Sequence, residues 1–182
     1  ALAQAGGDIL IVAGYLDKGG KGIIQASLDA GSFKTFFLPD GMIGDSLPTA
    51  IGDDLNGSIG TVPGTDSPGA TKFNEIAKSN NFKAGPYTKE SYDSAALIML
   101  AMQAANSTNS NDFKSKVMDV ANAPGEKIFP GELAKGLKLL SEGKEIDYVF
   151  ASAVELIGGG ESAGNFAEIL IDNQKVTTVG YK

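Results

Sequence analysis

Two side chains in the first quarter of the chain stand where binding chemistry is usually placed. Tyr15 comes just after the apolar run Ile9-Leu10-Ile11-Val12, and Asp40 comes just after Thr35-Phe36-Phe37-Leu38. Residues at the carboxyl ends of buried parallel strands face the crevice in which open α/β sheets hold their ligands. A phenol can stack or donate a hydrogen bond, and a carboxylate accepts several, so the pair suits a ligand with an ammonium group and an apolar side chain. Neighbouring strands lie about 5 Å apart. The two residues therefore face one crevice if their strands are adjacent. Each also has a plainer reading: Asp40-Gly41 as a simple turn, and Tyr15 as a ring packed on the helix that follows.

Other candidate motifs fit their chemistry less well. Gly14 to Gly22 runs G-Y-L-D-K-G-G-K-G between a strand and a helix, the context of a phosphate loop, but Lys21 falls one residue late and Gly22 replaces the magnesium-binding hydroxyl. Gly158-Gly159-Gly160 with Ala163 matches G-x-G-x-x-A, yet extended sequence follows where a helix should begin, so a flexible loop is expected. Asp53-Asp54 and the pair Glu142 and Glu145 lie in polar, turn-rich stretches and read as solvated surface.

Composition removes whole mechanisms. The 182 residues include no His, no Cys and no Trp, and all 15 basic residues are Lys. Histidine- and cysteine-based triads, the usual zinc ligands and disulfides are therefore excluded. Without Arg there is no bidentate fork for phosphate, and a net charge of −7 repels a polyanion, so no nucleic-acid partner is expected.

The elements that must position Tyr15 and Asp40 read as strand, helix, strand. A helix is predicted from about Gly19 to Ala30, a weak one between Ser46 and Leu55, a strand over Ser58 to Val62, and a capped helix from Asp66-Ser67-Pro68. The first apolar run is expected to be buried on both faces of a parallel sheet. Ser91 to Ala105 and Asp112 to Ala121 read as helices, Pro124-Gly125 and Pro130-Gly131 bracket a turn, and Glu132 to Leu140 is a last helix. Asp147 to Leu156 looks extended, and Phe166 to Tyr181 reads as a hairpin about Asp172-Asn173-Gln174. Ala1 to Ala5 reads as the last turn of a helix stopped by Gly6-Gly7, as in a chain that continues an element begun earlier.

Several segments carry a family resemblance. Ala13-Gly14-Tyr15 with its Gly-rich helix start, Phe37-Leu38-Pro39-Asp40-Gly41, Gly85-Pro86-Tyr87 and Glu90-Ser91-Tyr92-Asp93-Ser94-Ala95-Ala96 together resemble the C-terminal half of ABC-transporter substrate-binding proteins of the branched-chain amino acid (leucine/isoleucine/valine) type. The resemblance runs over essentially the whole chain.

It implies the periplasmic-binding-protein type I fold, an α/β clamp with Rossmann-like parallel sheets flanked by helices, with the first lobe preceding Ala1. Residues 1–87 would belong to the second lobe, 88–145 would be a helix-rich return to the first, and 146–182 would rejoin the second. The implied function is non-enzymatic: a small amino acid, or related amide, is enclosed between lobes in the periplasm and handed to an ABC permease. No cofactor and no metal is implied. Carried over residue by residue, Tyr15 is the aromatic and Asp40 the acidic residue with which the second lobe closes on the ligand, and Gly14, Gly41 and Met42 would be wall residues. The family often has Glu where Asp40 stands, so the carboxylate reaches about one bond less far. A ligand-sensing regulator on the same fold shares every one of these residues, and a nucleotide-dependent α/β enzyme is the third reading. Separated from the first lobe, the helix over 91–105 would expose Tyr92, Ala96, Met99 and Leu100 and so drive self-association.

Overall fold

A computed structural model describes the backbone of residues 1–182 and the surroundings of all of them but Gly160. Two compact units result, one of residues 1–63 and 166–182, the other of residues 64–165.

The first unit opens with a short helix, α1 (Leu2–Ala5), ended at Gly6 by a positive φ of 76°. Strand β1 (Ile9–Ile11) leads through a tight turn to α2 (Lys21–Asp29) and back to β2 (Thr35–Leu38). A 3-10 turn (Asp40–Met42) and α3 (Ser46–Ile51) precede β3 (Ile59–Pro63). β1 pairs with β2 and β2 with β3, both in parallel, as expected from alternating strand and helix.

The same unit closes with the hairpin of β8 (Phe166–Asp172) and β9 (Lys175–Tyr181), which adds antiparallel to β3 and makes a five-stranded mixed sheet. Asn173 and Gln174 form its turn, with φ of 49° and 58°, the left-handed pair that matches hairpin twist.

Strand alternation decides which residues become core. Leu10, Phe36, Leu38 and Ile171 share one face and pack with Ile24 and Leu28 of α2 and Leu47 and Ile51 of α3. The opposite face carries Ile9, Ile11, Ile59 and Phe166, all exposed, with Ile11 at 66%. The expectation that β1 is buried on both faces is therefore corrected. It is an edge strand, and both crossover helices lie on its Leu10 side.

The second unit is helix-rich. It runs through α4 (Pro68–Ser79), α5 (Thr88–Ala105), the short α6 (Ser110–Phe113) and α7 (Lys116–Ala121), β4 (Glu126–Ile128), α8 (Leu133–Ser141) and β5 (Ile146–Tyr148). It ends in β6 (Glu155–Ile157) and β7 (Glu161–Ala163), an antiparallel pair. Ser67 caps α4 through an acceptor bond from the Ala70 N–H at 3.2 Å, with Pro68 in the first turn, as the sequence predicts. The turn expected between Pro124 and Pro130 instead contains β4, which pairs in parallel with β5.

The limits of the units differ from those read at 87 and 145. A T-shaped ring pair joins Phe73 of α4 to Tyr92 of α5 with centroids 5.3 Å apart, and Gly69 meets the Phe150 backbone so closely that a Cβ would collide with its carbonyl carbon at 2.8 Å. These contacts tie α4 and the segment after β5 to the helix-rich part.

α5 finds its partners inside the same unit. Ala96, Leu97, Leu100 and Ala101 are buried against Val120, Ala121, Ile128, Ile146 and Tyr148. The expected exposed face is corrected accordingly: Ala96 and Leu100 are core and Tyr92 is half-buried, while Met99 is exposed as expected, and the large apolar residues that α5 exposes are Ile98 and Met99.

At the heart of this unit Asp93, 3% exposed, accepts four hydrogen bonds. The donors are the Tyr148 hydroxyl, the Ala151 N–H, the Ser152 N–H and the Ser152 hydroxyl, at 2.7–2.8 Å. Burial, and the Asp93 carboxylate beside it, hold the Tyr148 phenol well above its ordinary pKa of about 10. The folded chain thus keeps a proton that the unfolded chain loses above about pH 10, so the stabilisation is complete below that pH and declines as pH rises beyond it. Denaturant titrations should show a Tyr148 contribution that is constant from about pH 8 to 10 and an unfolding free energy that falls above about pH 10, less steeply in Tyr148→Phe.

Candidate functional site

Tyr15 and Asp40 both stand just past the carboxyl ends of neighbouring strands. β1 and β2 pair in register, Ile11 opposite Phe37, and the Val12 N–H donates to the Phe37 carbonyl at 3.0 Å, so the two chains leave the sheet side by side. Gly41 then lets the turns approach. A Cβ on Gly41 would lie 2.5 Å from the Gly14 carbonyl oxygen and 3.1 Å from Cδ1 of Tyr15. The Tyr15 ring therefore rests against Gly41, next to Asp40.

The ring is 70% exposed, which excludes the reading in which it packs on α2. Leu16 takes that role, half-buried against the core. Asp40 is half-buried, and its Oδ1 accepts from the Gly41 N–H at 2.8 Å. The same three-residue turn is closed by the Met42 N–H donating to the Pro39 carbonyl at 2.8 Å. Asp40-Gly41 is thus both a turn and a strand-end carboxylate, and the turn holds the carboxylate in place.

Met42 is corrected. Its side chain is fully buried, in the core with Ile24, Phe36 and Leu47, and offers no wall surface to a ligand. It supports the site from beneath, with its Sδ 4.0 Å from where a Cβ on Gly14 would stand. Sequence position alone cannot show this, because an apolar residue in a turn four places past a strand faces inward or outward according to the turn's twist.

The glycine cluster after Tyr15 has its polar groups engaged locally. The N–H groups of Lys18 and Gly20 both donate to the Tyr15 carbonyl at 3.1 Å, and Lys21 Nζ pairs with Asp17 at 3.0 Å. Amides turned inward do not cradle a phosphate. The first residues of the second cluster, Gly158 and Gly159, lie in a short 3-10 turn between β6 and β7; the surroundings of Gly160 lie outside the described residues. Asp53 accepts from the Gln174 amide at 3.2 Å and Glu142 pairs with Lys144 at 2.7 Å, both on the surface. Among the described residues no group of three or more acidic side chains could hold a metal ion.

The helix-rich unit has a cleft of about 450 Å³ lined by Met118, Val120, Leu140 and Ile146 together with Lys116, Asp119 and Lys144. Its charges serve one another: Lys116 pairs with Asp119 at 3.0 Å, and Lys144 turns to Glu142. A residue that sequence reading left without a role is Asp93. Its signal was visible, since it is the one carboxylate on the apolar stripe of Tyr92, Ala96, Leu97 and Leu100.

The chain matches no protein-family model and no curated protein sequence. Solved structures do share its architecture. A leucine-binding protein from Thermotoga maritima superposes with a TM-score of 0.68 at 16% identity, over 96% of this chain and 44% of that one. A solute-binding protein of an ABC transporter from Rhodopseudomonas palustris, solved in complex with p-hydroxybenzoic acid, gives 0.60 at 17% identity, over 96% of this chain and 44% of that one. The chain thus spans 44% of the length of these two proteins. At such identities the likeness is one of fold. No helix among the described residues is long and apolar enough to cross a membrane. The chain has the α/β fold of the periplasmic-binding-protein type I structures, a mixed sheet flanked by helices.

Proposed function

We propose that the chain is the ligand-closing part of an exported, periplasmic solute-binding protein that captures a small amino acid of the branched-chain type, or a related amide, and delivers it to an ABC permease. The observation that carries this reading is the placement of Tyr15 and Asp40 just past the ends of the neighbouring strands β1 and β2, with the Tyr15 ring against Gly41, on a fold shared with a leucine-binding protein. Residues 1–63 and 166–182 act as the closing lobe, and residues 64–165 serve as the return segment of the first lobe.

The chemistry needs no bond to be made or broken. Closure brings the ligand's ammonium to Asp40, where a charge-assisted hydrogen bond in a water-poor crevice is stronger than a neutral one. Tyr15 covers the ligand's apolar side chain. This chain has no Arg with which to hold an anionic ligand through a bidentate pair of hydrogen bonds.

Calorimetric titration of the whole protein with L-leucine tests the reading. Tyr15→Ala should weaken binding about tenfold, through lost apolar contact worth roughly 1–1.5 kcal/mol. An affinity unchanged by that substitution removes Tyr15 from the site.

A further inference from the structure

We infer that Met42 and Gly20 form a buried latch that sets the height of Tyr15 over Asp40, making Met42 a positioning residue of the ligand site. The inference rests on the Tyr15–Asp40 reading and adds to it the element that fixes their spacing.

Gly20 has φ −56° and ψ −45°, a helical conformation open to any residue. Backbone conformation therefore does not require glycine there; space does. A Cβ on Gly20 would strike the Met42 thioether, standing 2.5 Å from Cε and closer still to Sδ, and would lie 2.8 Å from the Tyr15 carbonyl oxygen. The Gly20 N–H donates to that carbonyl at 3.1 Å. Gly20 is thus clasped between the Tyr15 backbone and Met42. Gly22, two residues further on, has nothing within 4 Å of its Cβ position, so crowding is specific to Gly20.

Met42 is also the last residue of the turn that carries Asp40. One side chain therefore touches the Tyr15 turn while its own backbone holds the Asp40 turn. An unbranched thioether fills such an irregular gap better than a β-branched residue. Any change that pushes Met42 away from Gly20 shifts Tyr15 relative to Asp40 and so alters which ligands the pair accepts.

The test uses tyrosine-labelled chain and the nuclear Overhauser contact between the Tyr15 ring and the Gly41 Hα protons. The contact is expected in the parent and in Gly20's open neighbour variant Gly22→Ala, absent in Gly20→Ala, and weakened in Met42→Leu, which ends the side chain one atom short of Cε at nearly constant volume and leaves Gly20 and the Tyr15 carbonyl as they are. An unchanged contact in Gly20→Ala overturns the latch. If Gly20→Ala does not fold, Met42→Leu decides: a weakened contact supports the latch, and an unchanged one overturns it. L-leucine titration of the whole protein should show about tenfold weaker binding in Gly20→Ala and about threefold weaker binding in Met42→Leu. No heat from the parent with leucine, while the proton contacts follow the expected pattern, refutes the amino-acid reading and leaves the latch standing.

Discussion

Asp93→Ala should lower the unfolding free energy by about 4 kcal/mol or more. The carboxylate accepts from four donors at 2.7–2.8 Å, and Tyr148 and Ser152 are as deeply buried as Asp93 itself. Truncation leaves those donors without an acceptor, and each orphaned buried group costs roughly 1–3 kcal/mol. A domain holds only about 5–15 kcal/mol in total, so the loss is a large share of it. For a chain of this size it corresponds to a fall in Tm of about 8–16 °C. Asp93→Asn should fall between the two, because the amide keeps one acceptor oxygen but turns an NH2 donor toward two donors of Ser152. Denaturant titration reads the difference, and a change below about 1 kcal/mol would show that water replaces the carboxylate.

Asp40→Asn should weaken amino acid binding about 100-fold while leaving the fold intact. A hydrogen bond to a charged partner is worth roughly 1.5–3 kcal/mol, or a factor of about 10 to 150. The side-chain oxygen of Asn can still accept from the Gly41 N–H, which Asp40 Oδ1 now does at 2.8 Å, so the turn survives the exchange. What disappears is the charge facing the ligand's ammonium. Asp40→Glu extends the carboxylate by one methylene and should retain amine binding while shifting preference toward ligands with a shorter reach. Equal affinities for all three forms would take Asp40 out of recognition altogether.

Much of the framework was legible in local pattern. Thr35–Leu38 could be read as a strand because it is short, apolar and stopped by Pro39-Asp40-Gly41. Ser67-Pro68 announced the start of α4, and the polar turn about Asn173 announced the hairpin. Apolar runs, however, report only the kind of neighbour a strand favours, not which faces are covered. Hence Ile9 and Ile11 read as doubly buried but lie exposed on an edge strand.

The harder cases turn on partners distant along the chain. β4 is three residues long between Pro-Gly pairs and exists through its pairing with β5, some twenty residues later, which no local period reveals. Tyr92, Ala96, Met99 and Leu100 look like one continuous apolar face, but α7 and α8 fold back to bury Ala96 and Leu100 and leave Met99 out. At the site, the strand-end logic placed Tyr15 and Asp40 together because parallel neighbours put their ends in one row. It could not place Met42, whose burial depends on the space that Gly20 leaves empty.

The most direct measurement is isothermal titration of the whole protein with L-leucine and, separately, with p-hydroxybenzoate, the ligand held by one of the structures that share this fold. A crevice built on Tyr15 and Asp40, in a chain without Arg, predicts saturable heat from leucine or its amide and none from the aromatic anion. Saturation by p-hydroxybenzoate, with no heat from leucine or leucinamide, would contradict it.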